Sequence, residues 1–122
     1  MSIVQGIRVA VPFQINQTDL LAGTSHEMIA PITGYIRAIS TTVQVAITTG
    51  GVVTVENAGD AVAGASITVA DAATKGTIQT AAATPEGTYQ AVTQGDRVEV
   101  IPSAAFATAG ALNGYVEFSS AL

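Results

Sequence analysis

The chain has 122 residues, a formal net charge of −5 and no cysteine, which removes disulfides, thiolate metal sites and cysteine nucleophiles together. Its four cations, Arg8, Arg37, Lys75 and Arg97, are scattered, so the basic footprint needed to displace counterions from a nucleic acid is missing and no nucleic-acid partner is expected. Thr 16, Val 14 and Ile 11 make up about a third of the chain while Leu appears four times, a balance that fits pleated strands and not helices.

Ile7, Val9, Val11, Phe13 and Ile15 alternate with Arg8, Ala10, Pro12 and Gln14, the period of a strand with one buried face. Pro12 cannot donate to a ladder, so this strand belongs at a sheet edge or bends there. Asn16 to Ser25 reads as a loop. A short strand is expected over His26 to Ala30, stopped by Pro31. The longest expected strand runs from Tyr35 to Thr48, with Ile39, Thr41, Val43, Val45 and Ile47 on one face and Ser40, Thr42, Gln44 and Ala46 on the other. Gly50-Gly51 signals a two-residue hairpin into Val52–Glu56, and Asn57 to Asp60 signals another turn.

Ile67 to Val69 forms a short strand, and residues 70–76 an Ala-rich loop. Lys75 to Thr80 is a further strand, followed by a turn at Pro85-Glu86-Gly87 and a weak strand at Tyr89 to Val92. Gly95-Asp96 turns into a strand over Arg97 to Ile101, stopped by Pro102. Ser103 to Leu112 is read as a connection, and Asn113-Gly114 as a turn into a final strand over Tyr115 to Ser119. The expected fold is all-β: a single-domain antiparallel β-sandwich or jelly roll with about eight short strands. Residues 1–12 form an N-terminal arm or edge strand, and residues 13–122 the sandwich domain.

Catalysis needs converging groups, and few are available. His26 is the only histidine. Its neighbours Ser25 and Glu27 would point away from it on a strand, so the three cannot converge locally. Glu56 to Asp60 gathers three oxygen-bearing side chains, too few for calcium and ordinary for a turn. No phosphate-binding loop is present, since Gly50-Gly51 precedes no helix. Tyr35, Tyr89 and Tyr115 could serve a sugar, whereas Phe13, Phe106 and Phe118 read as core. The expectation is a non-enzymatic chain without metal or cofactor. No stretch is apolar enough to span a membrane, and the first residues lack a basic leader, which points to synthesis in a cytoplasm without membrane association. Charged residues make up only 11%, against an ordinary value of about 25%. Either a sparingly charged sandwich or a chain that buries surface in a lattice fits that value.

Four stretches resemble the small decoration (cement) proteins of tailed-phage heads: Phe13 to Ser25 (FQINQTDLLAGTS), Thr41 to Glu56 (TTVQVAITTGGVVTVE), Val62 to Thr77 (VAGASITVADAATKGT) and Gly95 to Val116 (GDRVEVIPSAAFATAGALNGYV). The likeness is one of pattern: short β-branched strands, an Ala/Gly/Thr-rich surface, and a Gly-Asp strand before the last hairpin. Such patterns also resemble jelly-roll modules of phage tails and head fibres, which bind glycans or receptors. The resemblance implies a homotrimer on the capsid exterior that clamps major capsid protein subunits. It carries no catalytic residue. Partner contacts are expected from the first strand and the residues before it, with Ser2 to Val9 adding to a capsid sheet and Ile3, Val4 and Ile7 filling apolar pockets.

Overall fold

The computed structural model describes residues 6–121. Nine strands and one short helix follow in chain order: β1 (Arg8–Ile15), α1 (Gln17–Ala22), β2 (His26–Ile29), β3 (Gly34–Val45), β4 (Gly51–Asn57), β5 (Asp60–Val69), β6 (Ile78–Ala82), β7 (Ala91–Val92), β8 (Arg97–Pro102) and β9 (Ala111–Ser119). Two antiparallel sheets result. One has the order β1-β9-β3-β6, with β7 also on β3; the other has the order β2-β8-β4-β5. First therefore pairs with last, second with next to last, and so inward to the β4–β5 hairpin. That nested order is a jelly roll.

Alternation builds the core. Phe13, Ile15, Ile36, Ile39, Val43, Leu112, Val116 and Phe118 of the first sheet are buried, as are Val53, Val55, Ile67, Val69, Val98 and Val100 of the second. Each contributes about 1.5–3 kcal/mol by leaving water, which suffices for a core without staples. The three phenylalanines are buried, as their place in the pattern predicts.

Four local expectations are corrected. Asn16 to Ser25 is not all loop, because α1 occupies Gln17–Ala22. Asn16 Oδ1 accepts the Asp19 N–H at 2.9 Å, Gly23 closes the helix at φ +69°, and Leu20 is fully buried. Asn, Asp and Gly here cap a helix rather than make a turn.

Gly50-Gly51 is not a hairpin. β3 and β4 lie in different sheets, and Gly51 pairs with Val69 of β5. Asn113-Gly114 is no turn either, since β9 runs straight through both. Gly114 faces Phe13 of β1 on one side and Thr41 of β3 on the other. A Cβ at Gly114 would fall onto the Ser40 carbonyl oxygen and within 2.7 Å of Phe13 Cζ. The glycine serves close approach, not a bend.

The long alternation in β3 also breaks. A register shift between Val43 and Val45 leaves Gln44 as the extra residue, and Val45 is 44% exposed instead of sharing the inner face. The Asn57–Asp60 turn does form. Ala58 at φ 52° and Gly59 at φ 93° join β4 to β5, and β5 begins well before Ile67.

Candidate functional site

The two sides of the sandwich differ. On one side, β5 is tied to β6 and to the segment that follows it. Gln79 Nε2 donates to the Thr68 carbonyl at 2.9 Å, the Thr84 N–H to Ala63 at 2.8 Å, and the Ala63 N–H to Thr88 at 3.3 Å. On the other side, β1 and β2 meet through the Phe13 and His26 rings, whose centroids are 6.1 Å apart. Among the described residues, no main-chain hydrogen bond links β1 to β2, and β1 pairs only with β9.

The polarity of that open edge follows from the ladder. The Ser120 N–H donates to the Ile7 carbonyl at 2.9 Å, and the Ile7 N–H donates to Ser120 Oγ at 2.8 Å. Alternation from this pair turns the main-chain groups of Arg8, Ala10, Pro12 and Gln14 away from β9. The donor missing at Pro12 thus belongs to the open side, where no internal bond is lost. Arg8 and Ala10 present a donor and an acceptor each to solvent; Pro12 presents an acceptor alone. The edge offers a short template, interrupted at Pro12.

Ile7 is 63% exposed beside that edge. Ile3 and Val4, expected to fill partner pockets, lie outside the described residues, as do the first five residues of the expected arm. From Ile7 onward the main chain is engaged by the chain's own β9, so strand addition is confined to the outer edge.

His26, Ser25 and Glu27 do not form a site. The His26 ring packs on Phe13, while Glu27 turns outward toward Arg97 at 3.9 Å. In the Glu56–Asp60 turn, Asn57 Nδ2 is taken up by the carbonyls of Tyr89 and Ala91 at 3.0 and 2.9 Å. Among the described residues, no three His, Asp or Glu side chains lie close enough to share a metal ion. No described helix is long and apolar enough to cross a membrane.

Two arrangements escape sequence reading because they depend on register. On the outer face of the second sheet, Glu27, Glu99 and Glu56 stand opposite one another across β2, β8 and β4. Glu99 is 8% exposed, and its Oε1 lies 3.1 Å from Arg97 Nη2. On the outer face of the first sheet, Gln14, Asn113 and Gln44 gather near one end of β1, β9 and β3. Comparison with protein-family models finds none that matches the chain, and comparison with curated proteins finds no relative that would assign either arrangement a function.

Proposed function

We propose that this chain is a decoration protein of a tailed-phage head, bound to the outer capsid surface where it clamps major capsid protein subunits. One observation carries the reading: β1 leaves its outer main-chain edge open over Arg8–Ala10, beside an exposed Ile7, while the β5/β6 side is bridged by three hydrogen bonds. An open edge of this kind is completed by an extended segment of another chain. The sequence resemblance points to the major capsid protein as the source of that segment. The jelly roll is compatible with it, being recurrent among viral structural proteins, though a fold alone assigns no role.

In this reading the low share of charged residues matches a surface meant for protein contact. Copies sit on the capsid as homotrimers, an arrangement taken from the resemblance. Mixing the purified chain with undecorated heads tests the proposal. Saturable binding at a fixed copy number per capsid subunit, with heads that better resist heat, supports it. Heads that sediment without the chain at any ratio overturn it. Light scattering over a dilution series tests the trimer separately.

A further inference from the structure

The outer face of the first sheet carries its side chains in cross-strand rows. Pro12, Tyr115 and Ser40 form one row; Gln14, Asn113 and Thr42 form the next. Beyond them the bulge between Val43 and Val45 re-aims Gln44 toward the same corner. Two adjoining depressions, of about 450 and 350 Å³, share Gln14 and Asn113; the first also reaches His26 and the second Gln44. Their size is that of small-ligand sites.

The carboxamides here differ from several of those elsewhere. Asn57, Gln79 and Gln90 spend their amide groups on main-chain carbonyls. Among the described residues, the side chains of Gln14, Gln44, Asn113 and His26 make no hydrogen bond. Three adjacent strands therefore bring three free carboxamides to one corner, Gln14 and Asn113 directly cross-strand and Gln44 beside them on the bulge. Each offers two donors and one acceptor.

The chemistry of the ligand follows. Neither depression has a carboxylate, lysine or arginine in its wall. The Arg8–Glu117 pair, 3.7 Å apart, lies rows away and compensates itself. A charged ligand finds no counter-charge. An extended peptide needs main-chain donors, which a sheet face does not present. A neutral polyol fits, because each hydroxyl both donates and accepts. Tyr115, 38% exposed one row away, adds an aromatic flank for an apolar C–H face.

We propose that this corner binds a neutral sugar residue, with Gln14, Asn113 and Gln44 pairing its hydroxyls and Tyr115 packing against its ring. The site is separate from the Arg8–Ala10 edge, so sugar binding and head binding can fail independently.

The test follows the side-chain amide signals of the full chain by NMR. The probes are the methyl glycosides of glucose, galactose, mannose and N-acetylglucosamine, each titrated to about 50 mM, the range of weak single-residue binding. The expected result is saturable movement of the Gln14, Gln44 and Asn113 amide signals with at least one glycoside, while those of Asn57, Gln79 and Gln90 stay fixed. Replacing Gln14→Ala and Gln44→Ala together removes two neutral hydrogen bonds and weakens that binding about tenfold or more. The urea midpoint of the double variant shows that the fold is kept. Silence from all four glycosides, movement confined to other residues, or unchanged affinity in the double variant overturns the proposal.

Discussion

Gly114→Ala is the sharpest test of the fold, because a turn and a central strand place opposite demands on that residue. In the structure Gly114 lies mid-strand between β1 and β3, and its φ is not in the left-handed region. The cost of a side chain is therefore steric. The added methyl would meet the Ser40 carbonyl oxygen and come within 2.7 Å of Phe13 Cζ. Phe13 is 4% exposed and cannot swing away, and the Ser40 carbonyl belongs to the β3 main chain. Overpacking a core costs about 1–3 kcal/mol, and with main chain as the obstacle the upper end applies, about 3 kcal/mol. At this chain length that lowers the melting temperature by about 10 °C. Urea unfolding should show a lower midpoint at unchanged slope. Gly59→Ala is the contrast, since nothing lies within 4 Å of its Cβ and only φ +93° opposes it. It should cost about 1 kcal/mol. A Gly114→Ala protein as stable as the parent would mean that the chain turns at Asn113-Gly114 and that β9 is misplaced.

Asn16→Ala removes the acceptor for the Asp19 N–H and should cost about 1 kcal/mol in urea unfolding; no loss would count against α1. Arg97→Ala leaves Glu99, 8% exposed, facing Glu27 and Glu56 without its partner. Its destabilisation should be about 1 kcal/mol, limited because the Arg97 side chain is 55% exposed. Adding Glu99→Gln to that variant should restore much of the loss, and an equal loss in both would show that the row of glutamates does not matter.

The alternation from Val9 to Ile15 was legible because one face packs inward and the other is solvated, and Pro12 correctly marked an edge. Pairing partners were not legible. Gly50-Gly51 looks like any hairpin when the sheet each flanking strand joins is unknown. Gly114 shows the same difficulty: a glycine that lets Phe13 and Ser40 approach is indistinguishable, in one sequence, from a glycine that turns. At Asn16 to Gly23, the residues that make turns are also those that cap helices, and six helical residues are too few to show a period. The corner formed by Gln14, Gln44 and Asn113 required both the register and the bulge, so strand periodicity alone could place Gln14 outward but not beside Asn113. Of the three side chains expected to fill partner pockets, Ile3, Val4 and Ile7, only Ile7 falls among the described residues.

The proposed clamp rests on the outer edge of β1, and Ala10→Pro addresses that edge directly. The Ala10 N–H points away from β9, as the nitrogen of Pro12 does, so proline removes an outward donor without breaking an internal bond. Sedimentation of undecorated heads with the parent chain and with this variant is the decisive comparison, with melting temperature as the control. Losing the donor and obstructing the added strand should weaken head binding by about tenfold or more, while the melting temperature falls by no more than about 3 °C. If Ala10→Pro binds heads as tightly as the parent chain, the open edge of β1 is not the clamp.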